Sequence, residues 1–197
     1  MATLNTHALI SLAEVREVLG FEENQIQDDD RLIGYVNRAS ARIETYTKRK
    51  FLVREYTEYH DGDGSNLVLV DQYPIVSVSA VWDDIDRLFT DNALLINSGN
   101  YVAEAEEGCL RLYNEEDAFQ KGIQNIKVVY SGGYSETPDD IKQACLDMVV
   151  RTYLRYKDNL TGFNSKSAPG GNIGIQLEAM TPEVKLTLDL YKKWGTM

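Results

Sequence analysis

The sequence is poor in the residues on which catalysis and metal binding most often rest. Its 197 residues include two cysteines and two histidines. Cys109 and Cys145 are far apart and form no CxxC or ligand pair, which suits a reducing compartment. Each is read as a small buried hydrophobe rather than a nucleophile. His7 and His60 lie in no ligand or triad pattern, and without a GxSxG a serine-hydrolase reading has no anchor. No apolar run approaches transmembrane length, so no membrane association is expected. The opening MATLNTHALISL lacks a basic region and a cleavage site, so no signal peptide is read and the chain is expected in the cytoplasm where it is made. Bases are also scarce. Twenty Lys and Arg against 31 Asp and Glu leave a net charge of −11, which argues against general nucleic-acid binding.

What charge there is lies unevenly. From Arg31 to Lys50 six bases face one acid, a local +5, whereas Glu55 to Asp117 holds fifteen acids and two bases, a local −13. The asymmetry suggests two parts with different surroundings. The basic stretch coincides with a helical pattern from about Arg31 to Lys48, with Leu32, Val36, Ala39, Ile43 and Tyr46 on one apolar face. Arg31, Arg38, Arg42 and Arg49 recur at seven, four and seven and are expected as a stripe away from that face, a candidate interface. A shorter helix precedes it. Ser11 and Glu14 have capping-box spacing, Gly20 supplies a left-handed stop, and Glu22 to Asp30 reads as a loop ending in an Asp cap.

After Lys50 the apolar period falls from helical to two. Phe51–His60, Leu67–Val70, Val76–Trp82 and Ile126–Tyr130 read as strands, with weaker candidates at Leu94–Ile96, Tyr101–Ala103 and Leu110–Tyr113. A helical turn is expected between Glu115 and Gly122, and Gly132-Gly133 allows a sharp bend. Helical spacing returns with Thr137 as cap and Pro138 in the first turn, leading into an almost wholly apolar helix through Ile141, Cys145, Met148 and Thr152. Asp158 to Gly174 reads as a flexible linker by composition. A tail helix then starts at Thr181-Pro182, with Leu186, Leu190 and Trp194 four apart and Tyr191 beside them, a second candidate interface.

Motifs that would suggest ligands are incomplete. Asp61-Gly-Asp63-Gly-Ser65 opens like a calcium loop, but Asn66 stands where the turn needs Gly and Gln72 where a bidentate Glu is required. Asp83, Asp84 and Asp86 have no His or Cys partner and read as a solvated turn. Gly170, Gly171 and Gly174 imitate part of a phosphate loop without its strand or its Lys-Ser/Thr. No catalytic residue, cofactor or metal is therefore assigned. The fold expected is α+β: a helical bundle domain of residues 1–50 and 135–197, interrupted by a β-rich insertion of residues 51–134, with a C-terminal linker and tail helix.

Several stretches are similar to those of one family. Thr45-Tyr-Thr-Lys-Arg-Lys-Phe51 resembles its exit from the second helix. Glu58-Tyr-His-Asp-Gly-Asp-Gly64 and Tyr73-Pro-Ile-Val-Ser-Val-Ser-Ala-Val81 resemble its first strands. Val128-Val-Tyr-Ser-Gly-Gly-Tyr134 and Pro138-Asp-Asp-Ile-Lys-Gln-Ala-Cys145 resemble its return to the helices, and Thr181-Pro-Glu-Val with Leu188 and Tyr191 its tail. The family is the head–tail connector (adaptor or head-completion) proteins of long-tailed double-stranded DNA bacteriophages. The resemblance implies a structural protein of the virion neck, present in the host cytoplasm before assembly. It implies a homo-oligomeric ring of about twelve copies with heterologous interfaces. Its partners would be the portal protein and a tail or tail-completion protein, with DNA passing through without specific binding. No enzymatic activity and no cofactor are implied. Alternatives are a tail-completion protein of similar build and, from another class, a calcium-dependent carbohydrate-binding module.

Overall fold

Residues 2–114, 116–158, 165–168, 171–174 and 180–193 are described by a computed structural model, and they fall into two units. The first comprises residues 1–49 and 137–197, the second 50–136.

The helical unit begins with α1 (Leu12–Val18), which is too short to persist without its cap. The Ser11 amide donates to Glu14 Oε2 at 2.6 Å and the Glu14 amide to Ser11 Oγ at 3.2 Å, a complete capping box. Gly20, at φ 66°, ends it in the left-handed conformation. The acidic loop that follows is tied by Arg16. Its guanidinium meets both oxygens of Asp29 at 2.8 Å and the carbonyls of Glu22 and Glu23 at 2.7 and 3.0 Å. Next, α2 (Asp29–Thr47) buries Leu32, Val36, Ala39 and Ile43 against α3 (Asp139–Lys157), which contributes Ile141, Ala144, Cys145, Met148, Val149 and Tyr153. The helix α3 starts one residue later than its sequence suggests. Pro138, with extended backbone, holds the cap position, and Thr137 is buried ahead of it.

The tail helix α4 (Pro182–Asp189) is capped by Thr181, whose side chain accepts from the Val184 amide at 3.3 Å. It packs on α3 and α2 through Val184 and Leu188. Fully burying a leucine contributes about 1.5–3 kcal/mol, so this short helix is part of the unit's own core. It ends at Asp189 with Leu190 as its C-cap, and Trp194 lies outside the described residues.

The β unit holds two three-stranded antiparallel sheets. In one, β6 (Gly122–Gly132) lies between β1 (Arg54–Gly62) and β3 (Ile75–Asp83). In the other, β5 (Cys109–Leu112) lies between β2 (Leu67–Leu69) and β4 (Tyr101–Glu104). Period-two alternation places Ile126, Val128 and Tyr130 of β6 in one core with Val68, Val81, Leu110 and Phe119. The Tyr130 hydroxyl donates to Glu58 Oε1 at 2.7 Å and accepts from the Gln72 amide at 3.0 Å, so its buried polar end is satisfied.

The insertion's two chain ends meet. The Tyr134 amide donates to the Phe51 carbonyl at 2.7 Å and the Val53 amide to the Tyr134 carbonyl at 3.1 Å. Gly133, at φ 119°, is required there because a Cβ would lie 2.8 Å from the Leu52 carbonyl carbon and oxygen.

Three sequence expectations are corrected. Leu94–Ile96 is not a strand: Asn92–Leu94 forms a 3-10 turn, and only an isolated bridge joins Leu95 to Trp82. Residues 116–121 form no helical turn, since Phe119 is drawn into the β core and its amide donates to the Ser65 carbonyl. Within the expected linker, β7 (Ser165–Ala168) and β8 (Gly171–Gly174) pair as a hairpin.

Because Leu188 is fully buried, Leu188→Ala should destabilise the helical unit by about 2–5 kcal/mol. Chemical denaturation followed by helical circular dichroism checks this, and a loss under about 0.5 kcal/mol would place α4 outside the core.

Candidate interaction surfaces

The arginines expected as one stripe have three different environments. Arg31 is half-buried, donates to Asp28 Oδ1 at 2.8 Å, and lies 3.8 Å from the Tyr156 ring centre. Asp28 also accepts from the Tyr153 hydroxyl at 2.8 Å, so this arginine belongs to an internal network of the helical unit. Arg49 is not on the exposed stripe at all. Lys48, at φ 56°, ends α2 in the left-handed region and turns the chain, so the helical count no longer applies at the next residue. Arg49 is 3 % exposed, with Nη1 3.5 Å from the Tyr191 carbonyl.

Arg38 and Arg42 remain outward. Among the described residues neither has a carboxylate within ion-pair distance, and the guanidinium of Arg38 lies 5.0 Å from the Tyr35 ring centre. With Tyr35, Ala39, Met148 and Thr152 they line a groove between α2 and α3 of about 170 Å³. Its floor is apolar and its rim cationic.

The tail helix has two faces. Opposite the buried Val184 and Leu188, Leu186 is 69 % and Leu190 81 % exposed. Tyr191 does not join them, since its hydroxyl is 3.5 Å from Asp140 Oδ2 and its carbonyl faces Arg49. The tail is further held by Tyr46, whose hydroxyl donates to Asp189 Oδ1 at 2.7 Å, and by the Lys193 amide, which donates to the Thr47 carbonyl at 3.0 Å.

In the β unit, the residues read as a solvated acidic turn form a built knuckle. Asp84 is 2 % exposed. Its carboxylate accepts from the amides of Phe89 at 2.7 Å and of Asp86 and Leu88 at 2.9 Å, while its carbonyl accepts from Arg87 at 3.0 Å. These bonds hold Arg87 and Phe89 at φ 57° and 52°. Opposite, Asp61 Oδ1 accepts from the amide of Gln124, itself at φ 53°. Three left-handed non-glycine residues thus surround one open cleft, lined also by Tyr59 and Asp86. Beside it Leu88 is 70 % and Ile123 73 % exposed. Composition hid this arrangement, because Asp-rich turns look alike whether their carboxylates face water or cap a loop.

Other candidate sites are accounted for by local structure. Asp61 holds Gln124, and Asp63 accepts from the Ser65 amide at 2.7 Å. Asp83 accepts from the Gln120 amide and from Asn125 Nδ2. Among the described residues, no three His, Cys, Asp or Glu side chains are grouped to hold a metal, and no helix is long and apolar enough to cross a membrane. Both thiols are buried and free. Desolvation first, and then Glu104 beside it, pushes Cys109 up to about 12, and desolvation does the same for Cys145. That environment disfavours the thiolate that a nucleophile requires.

The model of the head completion protein family matches residues 8–194. The chain belongs to that family. No curated protein matches the sequence. Among solved structures, the chain resembles one in the neck of an empty GTA particle computed with C6 symmetry. The identity is 15 %, the TM-score 0.60, and the match covers 100 % of this chain and 95 % of that one. A chain in the virion of a native gene transfer agent (GTA) particle gives 15 % and 0.61, over 99 % and 95 %. One in the neck of a native GTA particle computed with C12 symmetry gives 15 % and 0.59, over 100 % and 97 %. At this identity the likeness is one of fold.

The Phe89 amide above all, with those of Asp86, Leu88 and Arg87, holds the Asp84 carboxyl below the usual carboxylate range. A carboxyl depressed by folding stabilises the protein above its unfolded pKa, and that stability is lost as pH falls through the folded value. Asp84→Asn should therefore lower the melting temperature at neutral pH, with the gap to wild type closing below about pH 4. Melting curves of both proteins from neutral to acid pH check this, and a gap that stays constant would refute the carboxylate's role.

Proposed function

We propose that the protein is a structural ring adaptor of the virion neck, joining the portal to the tail and continuing the DNA channel between them. The observation that carries this reading is the head completion family match across residues 8–194. The neck chains of the same fold come from particles computed with C6 and C12 symmetry, which supports a cyclic homo-oligomer of about twelve copies. A ring of one chain needs heterologous contacts, and the outward groove at Arg38 and Arg42 and the exposed Leu186 and Leu190 are surfaces left open for them. No reaction is assigned.

Charge supports a conduit that does not grip DNA. The helical unit has fourteen bases against fifteen acids, a net −1, and the β unit six against sixteen, a net −10. Carboxylates facing a channel would repel phosphate and let the duplex slide. The isolated protein should accordingly show no retention of duplex DNA at about 0.15 M ionic strength in a mobility-shift assay. Measurable binding would count against the conduit reading.

The tail helix is assigned to docking on the portal or on a neighbouring subunit through its outer face. Replacing Leu186 and Leu190 together by Ser should leave the melting temperature within a few degrees of wild type, since both are exposed. Co-sedimentation with purified portal rings should fall roughly tenfold or more, as expected for truncating apolar anchors. Undiminished portal binding by a folded variant would remove the portal as the partner of the tail helix and leave only a neighbouring subunit.

A further inference from the structure

Strand β1 is an edge, paired with β6 on one side and with no described strand on the other. The phase of its ladder is fixed across the sheet. On the far side of β6 the amide of Asp84, one residue past β3, donates to the Asn125 carbonyl at 2.8 Å. Asn125, Lys127 and Val129 therefore bond toward β3, and Ile126, Val128 and Tyr130 toward β1. Their partners are His60, Glu58 and Tyr56, which leaves the amides and carbonyls of Glu55, Thr57 and Tyr59 directed outward. Among the described residues, none of these three makes a backbone hydrogen bond on that side. The other long edge, β3, is partly closed. There the Ile96 amide donates to the Val81 carbonyl at 2.8 Å and the Ile75 amide to the Ala105 carbonyl at 2.9 Å. An open edge is a template for a further strand, and β1 holds no proline to block one.

The chain also carries a hairpin without a sheet. Among the described strands, β7 and β8 pair with each other and with no third one. A two-stranded hairpin is marginal in water, and a third strand is what lets such a unit persist. Its charge suits β1 as well. Residues 159–174 hold one base, Lys166, and no acid, whereas β1 exposes Glu55 and Asp61. We infer that β7 of one copy adds to the open edge of β1 in the next, extending that sheet to the order β8-β7-β1-β6-β3. The inference rests on the ring reading and names its subunit contact. Within one chain the edge and the hairpin stand unpaired, so the occupant is the hairpin of a second copy. The contact is heterologous, since an edge in one unit receives a hairpin carried by the other, and in a closed ring every edge and every hairpin is used. Main-chain hydrogen bonds supply the affinity in strand addition of this kind.

The test is amide hydrogen exchange, read by mass spectrometry on the full chain as a monomer and as assembled alone or on purified portal rings. Peptides covering residues 54–60 and 165–174 should each contain fast amides in the monomer, and in the assembly those amides should slow together by roughly tenfold or more. Ser167→Pro removes one β7 amide. It should abolish the added protection at β1 and raise the concentration for half-assembly roughly tenfold, with the melting temperature unchanged. Thr57→Pro, which removes an outward amide of β1, should abolish the added protection of residues 165–174. Protection of both segments already in the monomer would mean that the hairpin closes on its own chain, and overturns the contact. Protection of β1 with residues 165–174 unchanged, or wild-type protection at β1 in Ser167→Pro, gives the edge to another strand and also overturns it. An assembly with both segments unprotected does the same and leaves the ring reading standing. A wild-type chain that stays monomeric alone and on portal rings overturns both.

Discussion

A chain that leaves a helical unit for some eighty residues and returns must bring its two departures together, and the short pairing of Phe51–Val53 with Gly133–Tyr134 does so. Two backbone hydrogen bonds, about 1 kcal/mol each in net terms, would not by themselves hold so long a loop closed. They are held in turn by the core on which β6 is centred, since Ile126, Val128 and Tyr130 fix the strand that ends at the crossing. The permissive residue at the corner is Gly133, where backbone passes too close for any side chain. The helices α2 and α3 can therefore pack as though consecutive, although ninety-one residues separate Thr47 from Asp139.

The polar groups of the β unit act mainly on its loops. Asn125 is fully buried and serves three partners, accepting from the Gly62 amide and donating to Asp83 and to the Gln120 carbonyl. Asp84 does comparable work for the knuckle. Left-handed backbone at Arg87, Phe89 and Gln124 is unfavourable for residues with a Cβ, and in two of these loops a carboxylate supplies the compensating hydrogen bonds. The acidity of this unit therefore has two sources. Some carboxylates are structural, and the remainder, such as those of Asp86, Glu106 and Glu107, are exposed.

Features set by local chemistry were legible in the sequence. Ser11 with Glu14, Gly20, and Thr181 before Pro182 each act through bonds a few residues long, and each stands where the spacing puts it. The apolar faces of α2 and α3 and the alternation of β6 were legible for the same reason. What escaped depends on contacts distant in sequence. Helical counting carried Arg49 onto the exposed stripe because nothing at Lys48 announces a left-handed residue. Phe119 left its expected helical turn for a core that includes Val68 of β2, far earlier in the chain. Asp84 looks like any aspartate in a polar turn, and only the folded loop shows which of three neighbouring carboxylates is buried. The outward arginines were half legible, since periodicity found the helix face but not which members of the row had partners at home.

The outer face of the two-faced tail helix exists only once folding is complete. Leu186 and Leu190 stand outward at helical spacing only when Val184 and Leu188 are seated and Thr181 has capped the turn. So short a segment has no helical stability of its own in water. A copy whose core has not closed therefore lacks the outward leucine pair, and one that displays it has already brought the first and last parts of its chain together. The outward display of Leu186 and Leu190 is therefore a product of the folded core, not of the local sequence.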